Sequence, residues 1–107
     1  MIKVFISQLM KDKTDEEILK EREEIIQHLK NYHFGNNNEF EVIDSFLKDF
    51  ETAKGVNIPV AYLAKSIELL STANFIVFGK DWEKGRGTVI EHKIAEEYFV
   101  QEDILEL

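Results

Sequence analysis

The chain has no cysteine, a single proline and only 13 basic residues against 21 acidic ones. The missing cysteine excludes a disulfide framework, a thiolate nucleophile and cysteine-ligated zinc. A net charge of −8, with no basic cluster, excludes the phosphate-neutralising footprint of a nucleic-acid binder. No stretch approaches the ~20 apolar residues of a membrane span, so no membrane partner is expected. Met1 to Ser7 is too short an apolar run for a signal peptide, which makes the cytoplasm the expected compartment. What is present is 44% hydrophobic and 32% charged over 107 residues, the balance of a folded globule. One domain spanning 1–107 is expected, burying roughly two-thirds of the unfolded chain's surface.

The order of hydrophobic patterns predicts β-α-β-α-β-α with a possible last strand. Ile2 to Ile6 is short, apolar and β-branched, as in a buried parallel strand. Thr14 and Glu17 form a T-x-x-E capping box, and the helix behind it carries Ile18, Leu19, Ile25, Ile26 and Leu29 on one stripe. Gly35-Asn36-Asn37-Asn38 turns the chain into a second strand, Phe40 to Phe46. Pro59 suits the start of a second helix with Val60, Leu63, Ala64, Ile67 and Leu70 inward. Phe75 to Phe78 reads as a central strand, a third helix begins at about Thr88, and Ile104 to Leu107 can add a fourth strand. The fold class is therefore α/β, a Rossmann-like three-layer sandwich around a short parallel sheet of three to five strands. Ligands of such sheets bind beyond the carboxyl ends of the strands, where Ser7 to Met10, Asp44-Ser45 and Gly79 to Glu91 converge.

The segment Arg86-Gly87-Thr88-Val89-Ile90-Glu91 concentrates the candidate chemistry. Glycines at 85 and 87 let backbone approach a ligand, and amides opening a helix beside Arg86 suit an anion or hydroxyl. Glu91, one turn in, leans back toward the helix start and can attack or stabilise a ribose anomeric carbon. The same spacing, Thr88-x-x-Glu91, also makes a capping box, which would leave Glu91 a structural role only. Asp44 ends a strand where an acid can bond ribose hydroxyls or simply turn the chain. Trp82 can stack on a base, or close the domain as a rim aromatic. His28 and His33 are five apart and share no helical face, His92 points away from Glu91, and no cluster has metal-site spacing. A serine hydrolase is excluded by the lack of a G-x-S-x-G elbow.

FISQLM closing a first strand, TDEEI opening a helix, VIDS, YLAKSIELLSTAN before FIVF, and then RGTVIEHKIA lie in an order that resembles the nucleoside 2-deoxyribosyltransferase superfamily over nearly the whole chain. The likeness is to its small, often phage- or prophage-encoded members. It implies that Glu91, in the G-x-x-x-E segment with Gly87, is the nucleophile that takes up the sugar, and that Ser7, Gln8 and Met10 lie in a loop holding sugar or phosphate. No cofactor is expected. The chain departs from the family at Ser66, where the characterised enzymes carry an aspartate that protonates the departing base, and at Asn74, where they carry an acid. Asp81 and Glu83 are candidate replacements.

Three functions follow as expectations. The first is a transferase or hydrolase of nucleoside or nucleotide N-glycosidic bonds, with Glu91 as nucleophile and Ser7, Gln8, Asp44 and Arg86 positioning sugar or phosphate. The second is a binding protein that sequesters a nucleotide or ADP-ribose-like signal. The third is a partner-binding role with a vestigial pocket. Self-association is expected, with Val60 and Tyr62 as spare apolar positions on the second helix.

Overall fold

A computed structural model describes residues 1–35 and 39–107. Asn36, Asn37 and Asn38 of the expected turn lie outside the described residues. Four strands, β1 (Ile2–Ser7), β2 (Phe40–Val42), β3 (Phe75–Phe78) and β4 (Ile104–Glu106), alternate with α1 (Asp15–Leu29), α2 (Ile58–Leu70) and α3 (Arg86–Tyr98). The sheet is wholly parallel in the order β2-β1-β3-β4. The chain thus runs outward from β1 to β2, then crosses back to β3 on the other side. That reversal between β1 and β3 opens a crevice at their carboxyl ends.

Strand parity assigns each side chain to a layer. Val4 and Ile6 of β1 pack with Val77 of β3 against Ile25 and Leu29 of α1. Phe5 faces the other way, with Ile76 and Phe78, into a core completed by Leu70 of α2 and Ala95 of α3. Helix α1 therefore covers one face and α2 with α3 the other, which makes the sandwich three-layered. Parity also places Ser7 on the α2/α3 side and Gln8 on the α1 side.

Local signals explain the helix starts. Thr14 and Glu17 form the expected reciprocal capping box on α1. Asn57 caps α2 by accepting from the Val60 amide, with Pro59 in the first turn. Helix α3 begins at Arg86 rather than at about Thr88, with Gly85 as its N-cap. Gly85 cannot be replaced freely, because a Cβ there would lie 2.5 Å from Thr88 Oγ1 and 2.9 Å from Leu9 Cδ1.

Three expectations are corrected in detail. β2 ends at Val42, not Phe46; one more backbone bond, Ile43 N–H to Val4 carbonyl at 2.8 Å, follows before the chain leaves the sheet. Leu19 is half exposed, because the buried stripe of α1 runs Ile18, Arg22, Ile25, Leu29 and leaves Leu19 at its edge. Val60 is 58% exposed and Ala64 is exposed, because the first turns of α2 overhang the crevice through Pro59, Tyr62 and Leu63 instead of resting on the sheet.

Candidate functional site

A cavity of about 810 Å³ occupies that crevice, a size suited to a nucleotide-like ligand. It is walled by the end of β1 and its loop, the loop after β2, the first half of α2 and the start of α3.

Glu91 lies in its wall, 5% exposed. Ser7 Oγ donates to Glu91 Oε1 at 2.7 Å, and Ser66 Oγ donates to Glu91 Oε2. Three elements thus converge on one carboxylate. β1 ends with its odd residue on the α2/α3 face, α2 presents Ser66, and α3 presents Glu91 one turn beyond its glycine-capped start. Burial raises the Glu91 pKa above the usual carboxylate value, and the Ser66 and Ser7 hydroxyls oppose that rise by bonding the charged form. Among the described residues no cation lies within ion-pairing distance of Glu91.

The capping-box reading of Thr88 and Glu91 is overturned by geometry. Thr88 is the third residue of α3, and its hydroxyl donates to the carbonyls of Trp82 and Gly85 instead of accepting a helix amide. Glu91 is therefore released from any cap and faces the cavity.

On the α1 side, Gln8 joins a second buried network. Its amide nitrogen donates to the Ile18 carbonyl at 3.1 Å and to Glu21 at 2.9 Å. Its carbonyl accepts from Arg22 Nε at 3.0 Å, and Arg22 Nη2 donates to Ser45 Oγ at 2.8 Å. Burial lowers the Arg22 pKa, and the nearby charge of Asp44 opposes that. Sequence reading missed Arg22, and it placed Ser45 in a converging segment without assigning it a role. The signal for Arg22 was an arginine interrupting the Ile18–Ile25–Leu29 stripe, a position that a surface cation does not occupy.

The mouth carries the cations Lys11, Lys48, Lys84 and Arg86 against the acids Asp15 and Glu91 in the wall. In a chain of net charge −8 this is a local excess of positive charge. Lys48 reaches Asp15 at 3.9 Å and Lys84 reaches Asp81 at 3.6 Å, both exposed pairs of small energetic weight.

Of the residues singled out in the sequence, Ser7, Gln8, Met10, Arg86, Gly87, Thr88 and Glu91 line the cavity. Asp44 and Trp82 do not. Asp44 is exposed, because β2 ends early and the next residue, Ser45, turns inward in its place. Trp82 stacks flat on His92 at 3.8 Å and packs against Phe78, so its ring closes the far side of α3. Asp81 and Glu83, the candidate replacements for an acid at position 66, also lie outside the cavity wall. Asn74 sits at the opposite end of the sheet, exchanging bonds with the Lys3 backbone. Among the described residues no group of His, Asp and Glu has the arrangement to hold a metal, and no helix is long and apolar enough to cross a membrane.

Comparison of the chain with protein-family models, with curated proteins and with solved structures finds no match.

Proposed function

We propose that the protein acts on the N-glycosidic bond of a nucleoside or nucleotide, as a transferase or hydrolase with Glu91 as nucleophile. The observation that carries this reading is a buried carboxylate, both oxygens held by serine hydroxyls, facing a nucleotide-sized cavity. Glycosyl cleavage passes through an oxocarbenium-like state, which a fixed carboxylate can stabilise or trap as an ester. Arg86 and the lysines at the mouth suit phosphate, and Gly87 leaves the α3 backbone open to sugar or phosphate oxygens. The sequence resemblance to the nucleoside 2-deoxyribosyltransferase superfamily supports the same assignment.

The test is Glu91→Gln, which keeps the shape and removes the nucleophile. Turnover of a nucleotide panel should fall ~10³-fold or more with the circular dichroism spectrum unchanged. Retained turnover refutes the role of Glu91.

A second reading is favoured by Ser66. A serine hydroxyl is a poor general acid, and losing an acid costs ~10²–10⁴ in rate. The protein would then sequester an intact nucleotide or ADP-ribose-like signal. Release of unaltered ligand on denaturation, at one per site, distinguishes this from turnover. In either case we propose self-association through the exposed apolar residues Val56, Ile58, Val60 and Tyr62 at the start of α2. A monomeric mass by light scattering at high concentration refutes that part.

A further inference from the structure

Resting on the reading of Glu91 as a glycosidic nucleophile, two features narrow the substrate by its leaving group. The first concerns protons. A neutral purine or pyrimidine leaves as an anion unless an acid protonates it, so its enzymes need a proton donor near the glycosidic nitrogen. Here the groups touching Glu91 are the hydroxyls of Ser7 and Ser66, both already donated to its carboxylate. The other carboxyl in the cavity wall, Asp15, is exposed in the first turn of α1 and engaged with Lys48. Tyr62, the one phenol in the wall among the described residues, donates to the Phe50 carbonyl. The second feature concerns charge. Glu91 is a buried carboxylate with no cation beside it among the described residues, and an uncompensated buried anion is costly until a positive group arrives.

We infer that the site takes a nucleotide whose base is cationic and leaves neutral, an N-ribosylpyridinium such as the nicotinamide nucleotides. The pyridinium ring supplies the counter-charge that Glu91 lacks, and the phosphate supplies the anion for Arg86 and the lysines at the mouth. As the C1′–N bond breaks, its electron pair returns to the ring nitrogen, so neutral pyridine departs with no proton needed. A Glu91 oxygen bonds to C1′ in its place. Water then adds to C1′ from the face the pyridine has vacated as the ester C–O bond breaks, which restores the Glu91 carboxylate; the proton of that water passes to solvent and the sugar keeps the hydroxyl. Loss of the acid at position 66 is thereby compatible with catalysis, because this class of leaving group does not use it.

The test uses the full chain with nicotinamide mononucleotide and NAD⁺, their dihydro forms, and neutral-base ribo- and deoxyribonucleoside 5′-phosphates, with base release read by chromatography. The pyridinium nucleotides should be cleaved ~10²–10⁴-fold faster in kcat/KM than the neutral-base ones, the span that a missing general acid sets. The dihydro forms, of the same outline but without the ring charge, should not be cleaved, and Glu91→Gln should release nothing. Glu91-dependent cleavage of neutral-base nucleotides at equal or greater rates overturns this inference and leaves the glycosidic reading standing. Absence of base release from every compound overturns both.

Discussion

Ser7, the last residue of β1, donates its hydroxyl across the crevice to Glu91, 84 positions further along the chain, at 2.7 Å. This bond joins the sheet to α3 and, with Ser66, keeps a buried carboxylate oriented. Hydrogen bonds to charged groups contribute ~1.5–3 kcal/mol. Ser7→Ala and Ser66→Ala should each destabilise the fold by about that amount or somewhat less at neutral pH, as read by urea unfolding. Because both act on one carboxylate, the double variant should depart from additivity by at least about 0.5 kcal/mol. Additive losses would mean that the two hydroxyls do not act through Glu91.

The Gln8–Arg22–Ser45 network predicts a different phenotype. Arg22 is 8% exposed and bonds both Gln8 and Ser45, so it fixes the cavity floor from the α1 side. Arg22→Met fills similar space but leaves the Gln8 carbonyl unpartnered, costing ~1–3 kcal/mol. Ligand affinity should fall as well, because Ser45 and Gln8 lose their shared anchor. Calorimetry on the variant checks both parts, and unchanged stability would show that the guanidinium contributes no net hydrogen bonding.

Trp82 gives a negative prediction. Its ring lies on His92 and Phe78 instead of in the cavity wall, so Trp82→Phe should leave ligand affinity within a factor of about two while lowering thermal stability. A tenfold loss of affinity would put the ring back over the ligand.

The sequence patterns made the layers legible and left the site half legible. Short apolar strand runs and period-3.6 helices place Ser7 and Glu91 near one another, because β1 and α3 are each identifiable and parallel sheets collect function at one end. The partner at Ser66 was legible only as an unexpected residue, since which face of α2 meets Glu91 depends on how that helix crosses the sheet. Asp44 and Ser45 show the opposite case. A strand read as seven residues long ends after three, and the inward position passes from the acid to its neighbour. Strand ends depend on where pairing stops, which adjacent residue types do not record. Arg22 went unread because a charged side chain on a buried stripe is satisfied only by residues brought from β1 and the β2 loop.

Glycines 85 and 87 should separate in their response to alanine. At Gly85 a Cβ would meet Thr88 Oγ1 at 2.5 Å and Leu9 Cδ1 at 2.9 Å, so Gly85→Ala must displace the start of α3. A cost of ~1–3 kcal/mol is expected, as for overpacking. At Gly87 the added Cβ meets only Leu63 Cδ1, at an ordinary 3.8 Å. Gly87→Ala should be neutral or stabilise by up to ~1 kcal/mol, because alanine is the better helix residue. It lines the cavity, so the same change should weaken nucleotide binding. Equal stability losses in the two variants would contradict the packing at Gly85.

Glu91 sets the pH dependence. Its folded pKa is raised, chiefly by burial, above that of the unfolded chain. The unfolded state therefore holds the proton less tightly, and the stability linked to this group is present below the unfolded value near 4.5 and lost as pH rises through the folded value. Glu91→Gln removes that loss. The variant should match or fall below the parent near pH 4 and exceed it in Tm at pH 7 to 8, with the difference growing across the interval between the two pKa values. The same titration governs activity with the opposite sign, since a nucleophilic carboxylate must be ionised. The acidic limb of kcat/KM should lie above the ordinary carboxylate range, and Ser7→Ala, which removes a bond to the charged form, should move it higher still. A limb that stays put in Ser7→Ala would separate the titrating group from the carboxylate that Ser7 holds.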